Sequence, residues 1–479
     1  MSKLKKALIR GTIWSTLGQL SSLLITLGTN IWLARLLSPE EFGQLGIIMF
    51  FIMIANVLTE SGLGGALVRK KKATRSDYST VFVTNLIFSV FCYLLLIIGS
   101  GAIANFYEDA IIKDLLIVAG LVLIINSFQL TQNAKLISEL KFKEKSIYRF
   151  IAVVISSSIG VYLAYSGFGV WSLIAIQLIA AGVNTILLWM FEGFFMRFYF
   201  SKASFKELYS FGINTTLASI LNKAFDNIYQ LILGKYFSIS ETGYFYQAKR
   251  LQDVPGGVIN MLSQSVVFSS LAKLQDDKIA FTKVYNKITL YFIIMLGFIS
   301  SFIYVYAEQI ILLLYGSEWV GAIFYMKLLT IGSFFFIQEQ INRVIFKVFN
   351  QTRKILYLEY VKKTIQSISI VIGVIYLSLQ VLIIGFVITN IIGYLINFYY
   401  SRKVIGNVSI YELKTLFKII CLSVVVVIIV ILFGEMFNLQ KNYFLYTIPL
   451  LIGSYLIGLK MLKIINIKTE FKKILSVRK

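Results

Sequence analysis

Five ionisable residues stand inside long apolar stretches of this chain: Glu60, Lys223, Asp226, Glu339 and Arg343. A charge at the centre of a hydrocarbon layer costs about 2.5–3.5 kcal/mol, so each needs a partner or a polar cavity. Lys223 and Asp226 share a helical face at a spacing of three, with Asn222 and Asn227 beside them. Two readings follow. The ammonium is available to a diphosphate and the amides to sugar hydroxyls, or Asp226 neutralises Lys223 permanently. Glu339 and Arg343 are four apart, among Gln338, Gln340 and Asn342. The planar guanidinium fork suits phosphate oxygens, and the pair suits substrate binding or gating. So near a span end, Arg343 can equally snorkel to the interface. Glu60 precedes the small residues Ser61, Gly62, Gly64 and Gly65, which allow close helix packing. Its carboxyl could carry a coupling proton or cation, or make a structural hydrogen bond.

Other chemistries lack their residues. The chain has no histidine, which removes the commonest general base and metal ligand. Its two cysteines, Cys92 and Cys421, lie in apolar runs without metal-ligand spacing. No G-x-x-x-x-G-K-[ST] phosphate loop occurs. No cofactor or metal is expected; any energy source is a coupling H+ or Na+ gradient.

The elements that position these residues are apolar helices. Of 479 residues, 58% are hydrophobic and 14% charged, against about 25% charged in soluble domains. Fourteen apolar segments are long enough to span a bilayer: 11–34, 42–64, 80–104, 115–131, 150–166, 169–191, 212–234, 254–271, 288–307, 328–344, 364–378, 380–400, 419–437 and 443–459. The run after the basic N-terminus is too long for a cleaved signal peptide and reads as the first span. With both termini on one side, 37 of the 46 Lys and Arg fall on that side. Seven fall opposite (Arg35, Lys113, Lys235, Lys249, Arg250, Lys327, Lys441) and two within spans. The positive-inside rule then places both termini in the cytoplasm. The net charge of +23 belongs to those cytoplasmic loops, so membrane lipids rather than nucleic acid are the expected basic-surface partner. Residues 249–257 read as an outer loop broken by Pro255, Gly256 and Gly257 before span 8.

Residues 16–45 repeat at 216–245. Identities include Thr16/Thr216, Leu17/Leu217, Leu33/Leu233, Ser38/Ser238, Glu41/Glu241 and Gly43/Gly243, with Arg35 on Lys235. Six spans separate the copies, so the repeat is parallel, about an axis along the membrane normal. The expected fold is all-α and polytopic, with about 14 transmembrane helices. The N-terminal lobe is 1–191 (helices 1–6). An interfacial linker, 192–211, leads to the C-terminal lobe, 212–400 (helices 7–12). Residues 401–479 add helices 13–14 and a basic cytoplasmic tail.

Several strings in order resemble Wzx-type polysaccharide flippases: LARLLSPEEFGQL (33–45), SGLGGALVRKK (61–71), STVFVTNL (79–86), GFGVWSLIAIQ (167–177), 211–237, TGYFYQAKRLQDVP (242–255), LAKLQDD (271–277) and LLYGSEWVGA (313–322). The likeness is to the WzxC-like lipopolysaccharide biosynthesis branch of the multidrug/oligosaccharidyl-lipid/polysaccharide exporter superfamily. It covers about residues 10–400. Glu60 departs from it, standing where many members carry aspartate. The resemblance implies no enzyme. It implies alternating-access transfer of a polyprenyl-diphosphate-linked oligosaccharide between leaflets of the cytoplasmic (inner) membrane, for surface polysaccharide. A polysaccharide polymerase and chain-length proteins would be its partners. The rival reading is an ion-coupled drug or small-molecule exporter of the same superfamily, against which Lys223 and Arg343 weigh.

Overall fold

The computed structural model describes residues 3–60, 62–70, 72–192, 198–262, 267–406, 410–437 and 443–464. They are almost wholly helical, with no strand among the described residues. Without water in a bilayer core, only internally bonded helices or closed barrels can cross it. The first eight helices are α1 (Lys3–Leu36), α2 (Pro39–Glu60), α3 (Leu63–Arg69), α4 (Arg75–Tyr107), α5 (Ile111–Ser138), α6 (Phe142–Tyr165), α7 (Val170–Glu192) and α8 (Lys202–Tyr236). After them come α9 (Ile239–Leu262), α10 (Phe268–Ala272), α11 (Lys278–Val305), α12 (Ala307–Leu314), α13 (Gly321–Val348), α14 (Thr352–Ile375), α15 (Leu379–Ile405), α16 (Tyr411–Met436) and α17 (Tyr443–Met461).

Among the described residues ten helices are long and apolar enough to cross a membrane, and Tyr446–Met461 is a shorter apolar helix. Where they are described, the expected segments fall on helices, but the seventh, eighth and eleventh are not among those ten; the eighth lies on the end of α9 and on α10, with 263–266 outside the described residues. The chain is a polytopic membrane protein. Large apolar side chains such as Ile98, Met190, Ile375 and Met461 stand exposed, as lipid-facing residues do. The tight turns hold: α6 ends at Tyr165 and α7 begins at Val170, while α14 and α15 are separated by three residues, 376–378. The stretch expected as an interfacial linker is helical from Lys202 and continuous with span 7.

Two expectations need correction. Pro255 does not break the chain before span 8; it lies inside α9, which runs unbroken from Ile239 and carries Lys249, Arg250 and Asp253 in its interior. The lost amide costs one hydrogen bond, which a membrane helix tolerates when neighbours compensate. Lys362 and Lys363, counted as cytoplasmic loop charges, are buried ten and eleven residues into α14.

The chain divides into two compact units, Met1–Tyr246 with Leu314–Glu318, and Gln247–Leu313 with Trp319–Lys479. In the first, α2 packs on α4, α5 and α8, and α6 lies between α1 and α7. A capping box starts α4: the Thr74 hydroxyl accepts from the Asp77 amide, and the Asp77 carboxylate accepts from the Thr74 amide at 2.8 Å. Lys70 bridges that carboxylate to Glu207 of α8, at 3.0 and 2.9 Å. In the second unit α13 packs on α15, α15 on α14, and α11 on α13 and α16. Helices α16 and α17 are built into its core: the Tyr455 hydroxyl donates to the Ile294 carbonyl at 2.8 Å, and Tyr306 to Thr447 at 2.9 Å.

The internal repeat reappears as matched boundaries. Helix α1 ends at Leu36 and α8 at Tyr236; α2 begins at Pro39 and α9 at Ile239. The first turns of α2 and α9 cross at two equivalent glycines. A Cβ on Gly43 would lie 1.9 Å from the Ile239 carbonyl oxygen, and one on Gly243 1.8 Å from that of Pro39. Each copy thus touches its equivalent reciprocally, as a local two-fold requires. Only hydrogen fits at either crossing point.

Gly43→Ala and Gly243→Ala should each destabilise by about 1–3 kcal/mol, because backbone rather than a flexible side chain must move. Gly28→Ala, with nothing within 4 Å of the added carbon, should be neutral or stabilising. Thermal unfolding midpoints in detergent check this. Equal midpoints for all three variants would contradict the crossing.

Candidate functional site

In the first unit the candidate residues gather on α8. The Ser201 side chain starts that helix by accepting from the Ser204 amide. Its middle exposes two stripes on roughly opposite sides. Leu217 and Leu221 are apolar and exposed, a face that suits lipid. Ser219, Asn222, Lys223 and Asp226 are exposed and polar. In a membrane an exposed polar stripe is stable only against water or a polar partner. Helix α2 lies along α8 with Met53 and Glu60: the Asn227 amide is 3.4 Å from the Met53 sulfur, and Lys223 lies within coulombic reach of Glu60. Asn227 is half-buried and turned into its own helix, donating to the Lys223 carbonyl at 2.9 Å. Lys223 forms no ion pair among the described residues. The structure therefore places Glu60 within coulombic reach of Lys223, leaves Asn222, Lys223 and Asp226 solvent-exposed, and turns Asn227 into its own helix. Beside them an amide chain links three helices: Asn126 donates to Asn56 at 3.2 Å, and Gln129 joins Asn126 to Asn184.

In the second unit Glu339 and Arg343 belong to a larger charge cluster. Glu339 is fully buried. The Lys362 ammonium reaches it at 2.7 Å and donates to Asn390 at 3.1 Å, while Asn397 donates to Glu339 at 3.2 Å. Arg343 pairs with both Glu339 and Glu359, and Lys363 lies 3.5 Å from Glu359. Both carboxylates meet the same guanidinium nitrogen, Nη2. Glycine at 393 makes room, since a Cβ there would sit 3.0 Å from both a Glu339 oxygen and the Lys362 chain. A second buried centre forms on Glu412, at the start of α16. It accepts from Tyr394 at 2.9 Å and Asn342 at 3.0 Å, and pairs with Arg402.

Glu359, Lys362, Lys363, Arg402 and Glu412 were not singled out from the sequence. Glu359, Lys362, Lys363 and Gln366 recur at spacings of three to four, a helical stripe that marks α14 as extending through them. Arg402 and Glu412 lie on different helices, and no spacing rule pairs them.

Residues 32–324 match the profile of a family described as "Polysaccharide biosynthesis protein". The chain belongs to that family. Among its relatives, the succinoglycan biosynthesis transport protein ExoT of Rhizobium meliloti is 24% identical over 317 residues, 66% of this chain and 64% of that one. The chain thus spans slightly less than two thirds of ExoT. The lipopolysaccharide biosynthesis protein WzxC of Escherichia coli is 22% identical over 339 residues, 68% of this chain and 67% of that one. Among solved structures, the lipid II flippase MurJ in an inward closed conformation superposes with a TM-score of 0.73. That match covers 94% of this chain and 98% of MurJ at 17% identity, a likeness of fold. The Wzx-type resemblance read from the ordered motifs agrees with the family.

The Glu339 cluster is expected to act as one unit. Removing one partner of a buried pair costs about 3–5 kcal/mol, whereas removing both is often tolerated. Lys362→Met alone should lower the unfolding midpoint and the yield sharply, and Lys362→Met with Glu339→Gln should recover most of the loss. Additive losses in a double-mutant cycle would mean the two side chains are not coupled.

Proposed function

We propose that this member of the polysaccharide biosynthesis family is a flippase. It moves polyprenyl-diphosphate-linked oligosaccharide units from the inner to the outer leaflet of the cytoplasmic membrane, for surface polysaccharide assembly. It is a secondary transporter, not an enzyme. The observation that carries the reading is the double-faced α8, with a solvent-exposed polar stripe of Asn222, Lys223 and Asp226 opposite exposed leucines. Support comes from relatives named for polysaccharide transport and biosynthesis and from the fold shared with a lipid II flippase.

In this reading the Lys223 ammonium neutralises the diphosphate, and Asn222 hydrogen-bonds sugar hydroxyls. Asp226 shares the helical face of Lys223, and Glu60 lies within coulombic reach of it. Lys223 lies thirteen residues inside the Tyr236 end of α8, about 20 Å at 1.5 Å per residue. Snorkelling from there is a poor alternative. The isoprenoid tail stays in lipid throughout. Two lobes related by the repeat, 1–191 and 212–400, alternate access about the local two-fold, with fourteen crossings and both termini cytoplasmic. An H+ or Na+ gradient supplies the energy. The flipped unit passes to a polymerase and its chain-length partner. Arg343 and Glu339, with their partners inside the second unit, gate or brace that lobe and do not make the first phosphate contact.

Surface polysaccharide and protein abundance, measured together, test the assignment of Lys223. Lys223→Ala should give a folded, abundant protein with at least about a tenfold loss of transport, the scale of one charge-assisted contact. Replacing Lys223 and Asp226 together by apolar residues should be equally inactive. Normal transport by an abundant double variant would mean that the pair is only structural.

A further inference from the structure

At the far end of α8, away from the polar stripe, lies an apolar cleft of about 450 Å³. Its walls are Phe51 of α2, Ala102, Ile103 and Phe106 of α4, and Ile228 and Ile232 of α8. It is open, and it joins the α8 face that exposes Leu217 and Leu221, the face read as lipid-contacting. One end is charged. The Lys235 ammonium stands 4.9 Å over the Phe106 ring and 3.0 Å from a Glu108 carboxylate oxygen. Both groups close their helices: Lys235 is in the last turn of α8, and Glu108 follows the last residue of α4. The cleft therefore runs from the membrane surface into the apolar layer, with one cation and one carboxylate side by side at its mouth.

We propose that this cleft is a binding site for a zwitterionic phospholipid carrying a primary ammonium. Its phosphate meets Lys235, its ammonium donates to Glu108, and one acyl chain lies along Phe51, Ile103, Phe106 and Ile232.

Three features select this occupant. First, the Glu108 side chain is 82% exposed. An ion pair so exposed is weak, and its two halves are free to exchange partners with a headgroup. Second, the pair is complementary to a dipolar headgroup. A diphosphate or an anionic lipid would gain Lys235 and be repelled by Glu108 beside it, so the transported substrate is a poor fit. A choline headgroup has the positive charge but no N–H to donate. Third, Glu108 adopts a left-handed backbone conformation, φ 58°. Glycine is favoured at that position after a helix, yet the chain carries a carboxylate there. The site is independent of the transport reading and stands or falls without it.

Native mass spectrometry of the purified full-length protein tests the site. Phosphatidylethanolamine, phosphatidylglycerol and phosphatidylcholine with identical chains are offered in equal amounts. Phosphatidylethanolamine should be retained about tenfold over the other two, the worth of one additional charge-assisted hydrogen bond. Glu108→Gln should abolish its advantage over phosphatidylglycerol, Lys235→Ala should remove retention of all three, and Ala102→Trp should block the chain. Glu108 and Lys235 lie at helix ends, so their substitutions report on binding even if the tryptophan variant folds poorly. Equal retention of the three lipids, a preference for phosphatidylglycerol, or a Glu108→Gln protein with unchanged selectivity would overturn the proposal.

Discussion

Hydrocarbon supplies neither hydrogen bonds nor counter-ions, and the chain answers both demands from within itself. Among the described residues, backbone groups are largely satisfied in helices, with short irregular connections such as residues 37–38 and 166–169. Charges are harder to satisfy. Each one placed between helices has to find an opposite charge, an amide or hydroxyl, or water, and the two units meet this requirement differently.

In the second unit the answer is protein. Glu339, Arg343, Glu359, Lys362 and Lys363 compensate one another across α13 and α14, with Asn390 and Asn397 of α15 hydrogen-bonded to the cluster, and Glu412 with Arg402 ties α16 to the same core. Such clusters favour one packing arrangement over others, because any shift strands a charge. In the first unit the buried polar contacts on α2, α5 and α7 are mainly amides, and Lys223 and Asp226 in the middle of α8 are solvent-exposed. The reciprocal crossing at Gly43 and Gly243 gives these helices a tight backbone junction on the side of the connection following α8.

Apolar length made the helices legible, since segments too long and too uncharged for a soluble protein have few alternatives. The repeat was legible because its polar turn, Ser38/Ser238 with Glu41/Glu241 and Gly43/Gly243, keeps its spacing, and the crossing of those turns explains why. Charges inside helices were the weak point. A hydropathy reading treats Lys362 and Lys363 as the end of a span, although α14 runs ten residues further back. Pro255 was read as a break for a related reason: local preference says stop, and the surrounding helices override it. Arg402 and Glu412 illustrate a different limit, because a salt bridge between helices is a tertiary fact. For Lys223 the residue types suggested the chemistry, while its exposure and its place near Glu60 required coordinates.

Transport of the lipid-linked sugar is the central claim, and a leaflet assay in proteoliposomes addresses it most directly. Purified protein is reconstituted with a fluorescent polyprenyl-diphosphate oligosaccharide, and the label on one leaflet is quenched by a membrane-impermeant reagent. A parallel set of vesicles carries a fluorescent cationic drug. The flippase account predicts protein-dependent movement of the lipid-linked sugar between leaflets, with no comparable movement of the drug. Drug movement with the sugar lipid left in place would contradict it.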